Sequence, residues 1–493
     1  MRQIPFKRWF FFAIVLKLAI YSVLTYYFQQ DTRSEAINFL LYSSKDTDSY
    51  YQPLINLADQ GVYGSVDQKT GITSFWALRM PGLLPFFLPF YALFGSNIAF
   101  LLIGFFQLMA SIVAIWAFGK MVLKRTENQL VAGFTMVIFA GSSFVGIYDH
   151  FALSESLNVS FLIFSLYYFT RFQYTKDLNY SLLLYSGLCL SVSIFIRPIV
   201  GFILPFLTIL MLYSSFRQSK QLVTLKTLKK LLAFVIVPVF FISIWTIRNH
   251  IRFNQIIPLQ MKVSEALPNA FPPERIASME LITLLGYDMV DFSDYTMGDW
   301  FLDDSYYLDD FDLSSLPTTP NFNPAQIQKL KNDYQTLKKL DRKSKDYDRV
   351  QSKYLDDLYN VETILKEEAP FYILVVAKLK LTKLFIFHRK LTTPFPFPEL
   401  SEMSVVQKVI KGGNLMLLYF VTFLGLIGIL RLNKHPGLHL FRIIVLSFIL
   451  IMPLLVGYVE QRYFLHPYLF LIPFAVVSFI QICSHLPFVK HWV

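Results

Sequence analysis

WFFFAIVLKLAIYSVLTYYF, residues 9–28, follows a basic start that carries Arg2, Lys7 and Arg8. Crossing the hydrocarbon core of a bilayer takes roughly 20 apolar residues of helix. The run has that length and ends without the small-residue pattern of a cleavage site, so it reads as an uncleaved first span. Nine further apolar runs read the same way, at 97–120, 128–148, 155–171, 179–196, 198–214, 230–248, 413–431, 438–457 and 463–483. The composition agrees: 54% of the 493 residues are hydrophobic, only 16% are charged, and the mean hydropathy is +0.46. A soluble domain is about 25% charged. The expected fold class is therefore an all-α polytopic membrane protein.

Basic residues orient the spans. With the N-terminus inside, Lys120, Lys124, Arg125, Arg171, Lys176, Arg217, Lys220, Lys226, Lys229, Lys230, Arg431 and Lys434 all fall on the inner side. The short outer loops keep few, Arg197 and Arg462 among them. Two long segments then lie outside, 29–96 and 249–412, which divides the chain into an N-terminal membrane module 1–248, an external loop subdomain 249–412 and C-terminal membrane helices 413–493. The run LLPFFLPFYALFG (83–95) is short and proline-rich, and reads as interfacial. FYILVVAKLKLTKLFIFHRK (371–390) carries Lys378, Lys380 and Lys383, and reads as an amphipathic surface helix. In the external subdomain an acidic tract across 288–312 precedes a helical half. There Ile327, Leu330, Tyr334, Leu337 and Leu340, then Val350, Tyr354, Leu358 and Val361, recur at helical spacing.

The net charge of +11 is accounted for by these flanking residues; no basic, aromatic-interleaved soluble module points to nucleic acid. Cys189 and Cys483 lie in expected spans and suggest neither a disulfide framework nor thiol chemistry.

The polar outliers collect on the outer side: Asp46, Asp48, Arg79, Asp149, His150, Glu155, Arg197, Arg248, Asn249, Arg252, Arg462, Tyr463 and His466. Ionisable groups at membrane depth are costly and face a cavity or a partner. A set contributed by several spans at one level predicts a single outward-opening polar cavity, with Tyr50 and Tyr51 beside it. Guanidinium groups bind phosphate oxygens bidentately, which suits Arg79, Arg197, Arg248 and Arg462 to a phosphate. Carboxylates such as Asp46, Asp48 and Glu155 suit deprotonation of a hydroxyl, or a divalent ion such as Mg or Mn held by Asp46 and Glu155. Structural readings stand beside these. Asp46 and Asp48 suit the cap of a helix beginning near Ser49, Glu155 suits the N-terminus of a span, and the arginines suit interfacial anchoring. No nucleotide-binding loop appears, so a lipid-phosphate donor is expected rather than a soluble one.

The order of motifs resembles the membrane-embedded C-type glycosyltransferases that use polyprenyl-phosphate sugars. The nearest group looks like the bacterial relatives of protein O-mannosyltransferases and of the lipid A aminoarabinose transferase. The resemblance rests on Asp46-x-x-x-Tyr50, NLADQGVYG (56–64) and RMPGLLPFFLPFYALFG (79–95). LSESL (153–157), IRPIVG (196–201), WTIRNHIRFNQIIPL (245–259) and QRYFLHPYL (461–469) follow in the same order. It covers about 9–260 and 440–483 and omits the loop between. It implies a bundle of about 10–13 transmembrane helices, with interfacial helices in the first outer loop and a small external subdomain. It also implies an inverting transfer from a polyprenyl-phosphate sugar to a glycolipid, polysaccharide or protein acceptor, at the periplasmic or extracellular side of the plasma (inner) membrane. By the same resemblance Asp46, with Asp48 as alternate, acts at the reaction centre, and Arg79 contacts the lipid phosphate. Gly82 departs from the pattern, since close relatives often carry a second proline there. A surface-polysaccharide polymerase or ligase, or a transporter or flippase of polyprenyl-linked lipid, is the alternative.

Overall fold

The computed structural model describes residues 4–30, 36–44, 46–66, 73–175, 179–219, 224–261, 272–287, 297–302, 311–387, 401, 403–431, 436–456, 459 and 461–484. Most of the acidic tract lies outside these residues. Two compact units form: one from Met1–Met261, Thr393–Ile444 and Leu469–Val493, the other from Lys262–Thr392 and Val445–Tyr468. The stretch 445–468 thus groups with 262–392 rather than with the other C-terminal helices.

Each expected span coincides with a helix or a helix pair. In the first unit these are α1 (Phe6–Gln30), α3 (Leu84–Thr126), α4 (Gln129–Gly141) with α5 (Ser143–Gly146), α6 (Glu155–Tyr174), α7 (Tyr180–Ile196), α8 (Ile203–Ser219) and α9 (Leu225–Phe253). A short helix between α1 and α3, α2 (Thr47–Gln60), and a two-stranded antiparallel ribbon of β1 (Gly64–Val66) and β2 (Thr73–Phe75) complete it. Among the described residues six helices are long and apolar enough to cross a membrane, or seven if the pair Gln129–Gly141 and Ser143–Asp149, bent by 54°, counts as one span. Tyr180–Ile196 and His439–Leu454 are apolar but shorter. α6 falls below the others in apolarity because it buries Ser156, Asn158, Ser160, Ser165 and Thr170.

Two of them, Asn158 and Ser165, hold α6 on α7. Asn158 Nδ2 donates to Ser193 O at 2.7 Å and to Ser193 Oγ at 3.0 Å, and Ser165 Oγ lies 3.2 Å from Ser186 Oγ. Lipid and leucine are equally apolar, so helices in a bilayer associate through close packing and such bonds rather than through hydrophobic expulsion. The converse is seen on α9, where Leu225, Leu232, Ile236, Phe240, Ile247 and Ile251 are all more than half exposed. A stripe that apolar suits lipid, not water. In α3 the backbone leaves helical geometry at Gly95 (φ 78°, ψ 179°), a conformation that needs glycine. The break falls where the proline-rich segment was expected to give way to the span.

The second unit has its own core. Ile327, Leu330, Tyr334 and Leu337 of the helix Ala325–Lys338 pack with Tyr354, Leu358, Val361 and Leu365 of Lys345–Glu368, joined by Leu281, Ile282, Trp300 and Phe301. Residues 371–386 continue as a π-helical turn, Tyr372–Val376, and the helix Ala377–Ile386. Ile373, Ala377, Leu381 and Phe385 are buried there, while Phe371, Leu374 and Leu379 stand out.

Candidate functional site

α2 begins at Thr47, so Asp46 occupies the N-cap position, yet its carboxylate makes no capping hydrogen bond (φ −91°, ψ −13°). Its neighbours do the local work instead. Ser44 N donates to Thr47 Oγ1 at 2.8 Å, Asp46 N to Ser44 Oγ at 3.3 Å, and Ser49 Oγ to Asp46 O at 2.7 Å. The helix ends at Gly61, left-handed at φ 70°, where Gly61 N donates to Leu57 O. Asp48 sits exposed in the first turn, where the helix dipole favours a carboxylate.

Arg79 faces the start of α2. Its Nη2 lies 3.7 Å from Asp46 Oδ1, its Nε donates to Ser49 Oγ at 3.2 Å, and its guanidinium carbon stands 4.3 Å from the centre of the Tyr50 ring. Both charged side chains remain open, Arg79 23% and Asp46 34% exposed. Tyr63, buried, donates its hydroxyl to Arg79 O at 3.0 Å. Burial raises the Tyr63 pKa above the ordinary tyrosine value, with Arg248 and Arg79 opposing. Tyr51 is buried against Phe87 and Phe100, its hydroxyl without a hydrogen-bond partner among the described residues. Its pKa is raised by burial and by the nearby Tyr50 and Glu155.

Gly82 explains itself here. Its N–H donates to Phe195 O at 3.1 Å, and an added Cβ would lie 2.2 Å from Ile196 N and 2.2 Å from Phe195 C. Proline would remove that donor, and any side chain would collide with the end of α7. The reason for glycine at this position is a backbone-to-backbone contact.

The other expected cavity residues are arranged differently. Glu155, at the first position of α6, is fully buried; Arg197 Nη1 donates to its Oε1, and Ser154 Oγ lies 3.4 Å from its Oε2. Arg197 is itself buried, at the C-cap of α7. Asp149 is buried with Lys17, whose Nζ lies 2.5 Å from Asp149 Oδ2, and it accepts from Ser156 Oγ at 2.5 Å. His150 is buried and stacked on Tyr21, with ring nitrogens 3.1 Å from Gly146 O and 3.0 Å from Tyr21 O. Arg248 ties loops together. Its Nη1 donates to Trp76 O and Asn249 Oδ1, both at 2.8 Å, its Nη2 to Tyr63 O at 3.3 Å, and Asn249 Nδ2 donates to Ile257 O at 2.9 Å. Arg462, Tyr463 and His466 belong to the second unit, where His466 is buried and stacks on Phe448 at 4.9 Å. In the first unit, then, the single expected ring resolves into one open cluster (Asp46, Ser49 and Arg79, over the buried Tyr50 ring) and separate buried pairs. A buried charge without a partner is so costly that each draws its own counter-ion inward.

Lys17 was missed in the sequence, although a lysine midway along an apolar span signals a buried partner. Ser49 was missed because a serine beside aspartates reads as part of a cap. Among the described residues no three His, Cys, Asp or Glu side chains gather as metal ligands. Asp46 and Glu155 each face a guanidinium. That donor set does not fit a divalent ion.

No protein-family model matches the sequence, nor does any curated protein. Among solved structures the chain is similar to the apo oligosaccharyltransferase of Archaeoglobus fulgidus, at 8% identity and a TM-score of 0.49, over 99% of this chain and 52% of that one. It is also similar to ArnT from Cupriavidus metallidurans in the apo state, at 13% identity and a TM-score of 0.34, over 95% of this chain and 78% of that one. The same protein bound to undecaprenyl phosphate matches at 11% identity and a TM-score of 0.34, over 97% and 80% of the two chains. The chain spans about half the length of the archaeal oligosaccharyltransferase.

Proposed function

We propose that the chain is a membrane glycosyltransferase that moves a sugar from a polyprenyl-phosphate donor to a hydroxyl acceptor at the outer face of the membrane. The observation that carries this reading is the open Asp46–Arg79 contact: a carboxylate not spent on capping its helix, 3.7 Å from a guanidinium that is also accessible. The order of motifs around it supports the same reading. The Asp46 carboxylate accepts the proton of the acceptor hydroxyl. The acceptor oxygen bonds to the anomeric carbon as the bond from that carbon to the phosphate oxygen breaks, in line and with inversion. The departing polyprenyl phosphate carries the bonding pair, and Arg79 stabilises the added negative charge. Ser49 and the Tyr50 ring hold Arg79 in place before the donor arrives.

The test is purified protein supplied with radiolabelled polyprenyl-phosphate sugars and hydroxyl acceptors drawn from glycolipid, polysaccharide and protein. Labelled product from the wild type, lost in Asp46→Asn, supports the reading. Movement of the lipid across the bilayer with no covalent transfer would instead favour a flippase.

A further inference from the structure

The Glu155–Arg197 pair is withdrawn from solvent, so neither group can meet a substrate as the chain stands. It is nevertheless one short step of backbone from Arg79. Arg197 directly follows Ile196, the residue whose nitrogen leaves no room for a Cβ at Gly82. Gly82 is hydrogen-bonded to Phe195, and only Met80 and Pro81 separate it from Arg79. The Arg79 carbonyl itself is held by the Tyr63 hydroxyl. The Arg79 main chain is therefore fastened at two points, and one of them is the end of α7.

We propose that Glu155 and Arg197 form a positioning brace: their ion pair fixes the C-terminal end of α7 against the N-terminal end of α6, and the Gly82–Phe195 contact passes that position to the Arg79 guanidinium. Neither residue touches the donor. The inference rests on the reading of Arg79 as the phosphate contact. It adds that phosphate affinity is set in part by two groups that never meet the phosphate.

A thermodynamic cycle on the full-length protein tests it, with dodecyl phosphate, a single-chain phosphate monoester, as the titrated ligand. Glu155→Leu together with Arg197→Met removes the pair without stranding a buried charge. Arg79→Ala removes the contact itself. Each is expected to weaken binding about tenfold, the scale of one charge-assisted hydrogen bond, with the three changes together no weaker than Arg79→Ala alone. Gly82→Ala tests the seam without touching any charge. It is expected to weaken binding to a similar degree and to add nothing to Arg79→Ala; should the paired replacement not fold, this variant carries the same cycle.

Losses that multiply to about a hundredfold would mean that the pair acts through a contact of its own, and would overturn the brace. Binding within about twofold of wild type after the paired replacement or Gly82→Ala would overturn it too. Unchanged binding in Arg79→Ala would overturn the phosphate reading itself, and the brace with it.

Discussion

Asp46–Arg79 and Glu155–Arg197 are the same two functional groups in opposite surroundings. The first pair stands 3.7 Å apart with a quarter to a third of each side chain open; the second is hydrogen-bonded and sealed. Water screens the open pair, so its contribution to stability is at most about 1 kcal/mol. Either group can therefore exchange its partner for a ligand. The sealed pair cannot: removing one partner leaves a charge in a medium that cannot solvate it. Exposure, not residue type, separates the group that can react from the group that can only hold.

Substitutions at four sites probe that contrast, from the largest expected effect down. Asp46→Asn is expected to lower transfer by about 10²–10⁴-fold while thermal unfolding in detergent shifts by no more than about 2 °C, roughly the shift of a surface change. Comparable transfer by this variant and wild type would remove Asp46 from the reaction. Glu155→Ala is expected to cost about 3–5 kcal/mol of stability by stranding Arg197, read as lost yield and earlier unfolding. A well-folded Glu155→Ala that binds dodecyl phosphate as the wild type does, yet loses turnover, would move Glu155 to the open side of the comparison. Lys17→Met is expected to destabilise on a similar scale, about 3–5 kcal/mol, and Lys17→Met with Asp149→Leu to recover most of it; no recovery in the double variant would show that the two charges do not act as a pair. Asp48→Asn is the smallest, about 0.3–1 kcal/mol from the lost helix-dipole interaction, with transfer within about twofold of wild type. If Asp48→Asn abolished transfer and Asp46→Asn did not, the two aspartates would exchange roles.

The long apolar helices were legible because bilayer length imposes a run that composition alone reveals, and the amphipathic hairpin of the second unit because its period is local. Asp46 stood out through its place after the first span and its spacing to Tyr50. Burial could not be read the same way. Asp149 and Glu155 were expected in one cavity with Asp46 because all three flank apolar helices. Only the packing of α1, α6 and α7 decides that Lys17 and Arg197 reach the first two. The Gly82 contact was equally hidden: glycine before a helix reads as a turn, and its reason lies in the backbone of Phe195 and Ile196.

The Lys17–Asp149 pair also sets an order of biogenesis. Lys17 leaves the ribosome in the first helix, while its counter-charge arrives only after α4 and α5 have been made. At about 5–20 residues per second, the first helix waits on the order of ten seconds with its ammonium unmatched. Nascent chains arrested before Asp149 should therefore hold that helix in the membrane less firmly than chains arrested after Ser156. Lys17→Met should erase the difference, a comparison that extraction of stalled chains from the membrane can read directly.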